Sequence, residues 1–151
     1  MISQMTLTAL PNIPLVLRGD DLTTIILRGL RDARIELQDG DVLVLAQKIV
    51  SKSEGRMVRL GDVTPSPDAL ELAQRSGKDP RFCEVILWDT REVVRVREGL
   101  IIVETNHGWV CANAGIDRSN VAPHDEEDWV LRLPEDADRS ARELRERLHA
   151  L

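Results

Sequence analysis

Two short stretches carry side chains that could hold an anion and a cation. In GDVLVLAQKIVSKSEGR, residues 40–56, an apolar run gains polar residues only at its carboxyl end, where Gln47, Lys48, Ser51 and Lys52 precede Glu54 and Gly55. Strand ends of this kind commonly hold ligands. If the strand persists, Lys48 and Lys52 point to one face and could neutralise one phosphate chain. The plainer reading is two lysines solvating a strand exit. No GxxxxGK[ST] loop is present, so a nucleotide site here is not of the Walker type.

The second stretch is CANAGIDRSNV, residues 111–121. Asn113 closes a hydrophobic strand, Gly115 allows a close backbone approach, and Asp117, Ser119 and Asn120 present oxygen-bearing side chains. A hard divalent cation accepts such ligands, with water and nucleotide phosphate completing its shell. The same residues also suit an Asx turn, in which Asp and Asn bond their own backbone. His107, beside Gly108, reads as a solvated turn residue and is assigned no role. The acidic run at Asp125, Glu126, Glu127 and Asp128 reads as a solvated loop. GxSxG and HExxH are absent, which leaves hydrolase and zinc-enzyme readings without support.

The elements that must position these residues follow from periodicity and caps. Residues 3–10 and 13–17 look extended, broken by Pro11 and Pro14. Asp20 and Asp21 open an amphipathic helix that runs to about residue 34, with Leu22, Ile25, Ile26, Gly29 and Leu30 on one side. Val42 to Val50 is apolar on both faces and reads as the central strand, covered on two sides. Ser66-Pro67 and Gly77 bracket one helix, and Asp79-Pro80 starts another ending near Trp88. Val93 to Val96 and Leu100 to Glu104 read as strands, and Asn106-His107-Gly108 turns the second into Trp109 to Ala112. WVLRLP reads as another short strand. A final helix from about Asp136 carries the stripe Ala137, Ala141, Leu144, Leu148 and Leu151, which needs something to cover it. The chain stops on that helix without a glycine cap, which suggests a sequence cut from a longer one.

Composition sets the bounds. At 151 residues with 42% apolar residues, the chain is expected to form a single domain spanning residues 1–151. Apolar runs fall far short of the ~20 residues that cross a bilayer, and the first residues do not read as a secretory signal, so the cytoplasm is expected and a membrane partner is not. Cys83 and Cys111 lack CxxC spacing and read as reduced core thiols. A formal charge of -6 with one Phe, three Trp and no Tyr argues against nucleic acid as a partner.

Taken together, GDVLVLAQKIVSKSEGR, KDPRFCEVIL, REVVR, HGWVCANAGIDRSNV and LPEDADRSAR resemble the coenzyme F420:L-glutamate ligase family, the coenzyme F420 gamma-glutamyl ligases, from about Ile13 to the chain end. The resemblance implies an α+β fold, a mixed sheet with helices packed on it, in an intertwined homodimer. It implies a GTP-dependent, metal-dependent ligase that joins L-glutamate to the lactyl-phospho-deazaflavin precursor of coenzyme F420 through an acyl phosphate. The substrates are GTP, L-glutamate and the deazaflavin precursor, and the cations are Mg2+ or Mn2+, with K+ as a further candidate. By position, Ile13, Pro14, Leu15, Val16, Gln47, Lys48, Lys52 and Asn120 would contact the nucleotide, and Asp117 would bind metal. No catalytic nucleophile is assigned. Family chains continue for roughly another hundred residues, which bring a second acidic metal ligand. The chain is therefore expected to be the N-terminal portion of such a ligase, with a non-catalytic nucleotide-binding or assembly subunit as the alternative.

Overall fold

The computed structural model describes residues 4–118 and 128–150. They divide into two compact units, one comprising Met1–Gly55 with Pro134–Leu151 and the other Arg56–Leu133. Among the described residues, five helices and two antiparallel sheets give the expected α+β class, although the strands form two separate sheets instead of one mixed sheet.

In the first unit, α1 (Leu22–Ala33) starts where the Asp21 carboxylate accepts the Thr23 N–H at 3.1 Å and ends at Arg34 in the left-handed region. Its Gly29 lets the preceding chain approach: a Cβ there would lie 3.1 Å from the Ile13 side chain and 3.2 Å from Leu10. Asn12, also left-handed, donates its amide N–H to Asp32 at 3.0 Å. These contacts fix residues 10–13 on α1. The last helix of the chain, α5 (Ala137–His149), is capped by Asp136 and has no buried residue. An ion pair of 2.8 Å between Arg147 and Asp21 joins it to the start of α1.

One expectation fails in this unit. Residues 42–50 are not a central strand: Val42 to Ala46 pair with no strand among the described residues, and Gln47–Ser53 form a short helix, α2. Where the sequence turns from VLVLA to QKIVSKS, straight-chain Gln and Lys replace the β-branched alternation. A helix also satisfies backbone groups locally, without the neighbouring strands that a central strand requires.

The second unit builds its own core. The strand β1 (Met57–Arg59) pairs antiparallel with the strand Trp129–Leu131, and a three-stranded sheet is formed by β2 (Thr90–Arg97), β3 (Leu100–Thr105) and β4 (Val110–Ala112), numbering Trp129–Leu131 as β5. Helices α3 (Pro67–Ser76) and α4 (Pro80–Trp88) follow the cap signals, since Ser66 accepts from the Ala69 N–H, Asp79 accepts from the Arg81 N–H, and Gly77 takes φ 67°. Phe82, Val85 and Ile86 of α4 join Leu72 of α3, Ile101 and Val103 of β3, Leu60 and Val130 in one buried cluster. The Glu84 carboxylate accepts from the Ser66 N–H and the Trp88 indole N–H, which ties α4 to the entry of α3. No helix among the described residues is long and apolar enough to cross a membrane.

Candidate functional site

Apart from Asn120, the residues expected to hold a nucleotide fall on two segments of the first unit. Residues 13–16 run past α1 with Val16 buried and Leu15 exposed, so the backbone is anchored by one side chain while its neighbour faces outward. The chain then turns at Gly19, whose φ of 84° favours glycine. Asp20 accepts the Leu17 N–H at 2.8 Å, and the Gly19 N–H donates to the Ser53 carbonyl, also at 2.8 Å. That bond ties the 13–20 segment to the end of α2. Gly55 has φ 71°, which favours glycine, and a Cβ there would come within 2.7 Å of the Arg18 side chain, which would have to shift.

On α2, Gln47 and Ser51 are one turn apart and bonded, with the Gln47 amide donating to the Ser51 hydroxyl at 2.6 Å. Lys48 and Lys52 have the same i, i+4 spacing. The two lysines therefore share a side, as expected, but through the period of a helix instead of a strand. Lys52 is only 8% exposed, an environment in which a positive charge acts more strongly on an anion than it does in water. Glu54 closes this helix. Its carboxylate accepts the Ser140 hydroxyl at 2.5 Å and the Glu135 N–H at 3.2 Å, so it holds the start of α5 to the end of α2. Sequence reading missed this positioning role; the only signals were that Glu54 closes one quoted motif and Ser140 lies inside another.

The expected metal ligand lies in the second unit. Asn113, Ala114 and Gly115 form a 3-10 turn with φ of 51°, 54° and 70°, three successive left-handed residues. Two of these are not glycine, so the turn holds strained backbone. The tight approach at Gly115 is to protein: a Cβ there would meet Leu133 at 2.9 Å. The Asn113 side-chain oxygen is buried without a hydrogen-bond partner among the described residues, so it makes no Asx turn. Asp117 follows the turn, half-buried, with its backbone locked to Leu131 by reciprocal bonds of 2.9 and 2.8 Å. Its carboxylate thus projects from a fixed backbone. Ser119 and Asn120, and with them the expected nucleotide contact at Asn120, lie outside the described residues, as do Asp125, Glu126 and Glu127 of the acidic run.

The donor set limits what cation could be held. Among the described residues no group of three His, Cys, Asp or Glu side chains is placed to hold a metal ion, so a cage of protein ligands is not built there. A single carboxylate such as Asp117 fits a hard cation whose remaining positions are taken by water and phosphate oxygen, and does not fit zinc. Cys83 is buried and Cys111 half-buried, both are free, and burial raises both thiols, the opposite of what a reactive thiolate needs.

The lysine-bearing helix belongs to the first unit and the aspartate beside the strained turn to the second. The chain belongs to the F420-0:Gamma-glutamyl ligase family, whose model matches residues 11–151. Among its relatives are coenzyme F420:L-glutamate ligases of Methanopyrus kandleri, 50% identical over 88% of this chain and 49% of the relative, and of Methanothermobacter thermautotrophicus, 44% identical over 93% and 54%. A third, from Methanosarcina barkeri, is 45% identical over 95% of this chain and 52% of its own length. The chain thus spans about half the length of these relatives. The resemblance carried by the sequence motifs is borne out.

Proposed function

We propose that this protein works in coenzyme F420 biosynthesis as a GTP- and divalent-metal-dependent gamma-glutamyl ligase, joining L-glutamate to the lactyl-phospho-deazaflavin precursor. The observation that carries this reading is the family match across residues 11–151, which contains every position assigned to nucleotide or metal. The relatives' names supply glutamate and coenzyme F420 as the chemistry.

In the proposed reaction a carboxylate oxygen of the precursor attacks the γ-phosphorus of GTP, the bond to the β–γ bridging oxygen breaks, and GDP leaves. The glutamate amine then attacks the acyl phosphate, inorganic phosphate departs, and the amine loses a proton as the amide forms. A bound Mg2+ or Mn2+ supplies charge neutralisation at the phosphate oxygens. Lys52 would place a fixed ammonium against phosphate, with Gln47, Lys48, Asn120 and the backbone of Ile13, Pro14, Leu15 and Val16 holding the nucleotide. Asp117 would give the cation one carboxylate. Such groups act by orientation and charge stabilisation and need no nucleophile.

The alternative is a reading without catalysis by the chain itself. In it, the chain is a nucleotide-binding or assembly module that works with a separate polypeptide. Incorporation of labelled glutamate into the deazaflavin precursor, with GTP and Mn2+, decides between them. Turnover by this chain alone establishes the ligase; turnover only after addition of a polypeptide carrying the relatives' remaining half establishes the module; absence of turnover in both mixtures contradicts the ligase reading.

A further inference from the structure

We propose that Arg118 is a positioning residue for Asp117: by stacking on the Phe82 ring of α4, it keeps the Asp117 carboxylate turned away from the core, on the face where it would meet a cation. The inference rests on the reading of Asp117 as a cation ligand and adds the side chain that sets its direction. Residues 116–118 straddle the antiparallel bridge that Asp117 makes with Leu131. Ile116 is 8% exposed and lies in the buried cluster that contains Phe82. Arg118, two residues on, places its guanidinium carbon 5.1 Å from the centroid of that same ring. In extended chain, residues two apart share a face and the one between them takes the other. Asp117 therefore points away from α4.

The two backbone bonds between Asp117 and Leu131 fix where the residue sits, but they resist rolling of the chain about its own axis only weakly. A contact on each side of Asp117 stops that roll, Ile116 before it and Arg118 after it. The ring attracts the guanidinium through its quadrupole, and the planar group stacks on it. The same turn of α4 also holds the opposite segment. Arg81, next to Phe82, is fixed by the Asp79 carboxylate through bonds of 3.1 and 2.6 Å and reaches Asp128 at 3.5 Å. The Asp128 carbonyl accepts the Leu60 N–H at 2.7 Å just before β5 begins. Successive residues of one helix thus grip the two segments whose bridge carries Asp117. Lys78 supplies an internal comparison. Its ammonium lies 5.9 Å from the same ring centroid, but it belongs to the link between α3 and α4 and not to the Asp117 segment.

The test combines two measurements on the whole chain. The first is amide hydrogen exchange at Asp117 and Leu131 without ligand. Arg118→Ala, a change at an exposed residue, should speed this exchange about threefold or more. Arg118→Lys, which keeps a cation able to sit over the ring, should recover most of the protection, and Lys78→Ala should leave it unchanged. The second is calorimetry of GDP with and without Mn2+, where Arg118→Ala should weaken only the Mn2+-dependent binding, again about threefold or more. The inference is overturned if exchange in Arg118→Ala matches that of the unaltered chain, if Arg118→Lys is no better than Arg118→Ala, or if Lys78→Ala speeds exchange equally. Equal weakening of GDP binding with and without Mn2+ would make Arg118 a nucleotide contact and would also overturn it. Faster exchange in Arg118→Ala, beside an unaltered chain that binds no Mn2+, supports the positioning by Arg118 and overturns the cation reading of Asp117 instead.

Discussion

The two units spend their apolar residues differently. Arg56–Leu133 buries Leu60, Leu72, Phe82, Val85, Ile86, Ile101 and Val103 in one cluster, with Trp88, Val94 and Trp109 among its exposed large side chains. Among the described residues, Met1–Gly55 with Pro134–Leu151 buries Val16, Ile26 and Leu30 and leaves Met5, Leu7, Leu15, Leu17, Val42 and Val44 outside. The same contrast holds for backbone pairing: every strand lies in the second unit, while the first has apolar segments that join no ladder among the described residues. A unit with a closed core resists change at its centre, whereas one with open apolar segments responds most to what is added to it.

Core truncation should break the contrast most sharply. Ile86→Ala removes a fully buried side chain and is expected to cost about 2–5 kcal/mol in denaturant unfolding, whereas Val44→Ala in the first unit should stay within about 0.5 kcal/mol. Equal losses at the two positions would contradict the contrast. The next effect belongs to a helix entry: Ser66→Ala deletes the cap of α3 and should cost about 1 kcal/mol in the same measurement.

Acid should act on the second unit through two carboxyls. Hydrogen bonding from Arg81 holds Asp79 below its ordinary 3.8, and hydrogen bonding from Ser66 holds Glu84 below its ordinary 4.5, in both cases against an opposing effect of burial. Because the folded values are depressed, the unfolded chain binds more protons near pH 4. Their stabilisation is therefore complete above the ordinary carboxylate range and disappears as pH falls through the folded values. Glu84→Gln should flatten the acid limb of a stability profile measured between about pH 6 and 3. A smaller effect is expected in the first unit, where Ser140→Ala removes the hydroxyl bonded to Glu54. Fraying of α5, read by amide exchange at residues 137–141, should increase by about 0.5–1.5 kcal/mol of local opening.

Local signals were legible in the sequence, and partners across space were not. Ser66-Pro67 with Gly77, and Asp79-Pro80, located α3 and α4 because caps are chemistry of adjacent residues. The β3–β4 hairpin was legible from the Gly-containing turn at Asn106-His107-Gly108. By contrast, β1 and its pairing with β5 join residues seventy or more positions apart and left no pattern in three residues. The error at Val42 to Val50 has the same origin. Apolar residues on both faces say that cover is needed, but not that the run divides at Ala46 into an unpaired segment and a helix. For the candidate site, the spacing of Lys48 and Lys52 placed them together under either period, a robust reading for a reason the sequence did not contain. The turn before Asp117 was recognised by its Gly115, while its strain at Asn113 and Ala114, where side chains rarely take that conformation, was not.

Isothermal calorimetry with GDP and Mn2+ tests the proposed chemistry most directly. Binding by the intact chain, weakened about tenfold or more in Lys52→Ala and losing its Mn2+ dependence in Asp117→Asn, is the predicted result. Heat-silent titration of the intact folded chain, or equal binding by both variants, would contradict it.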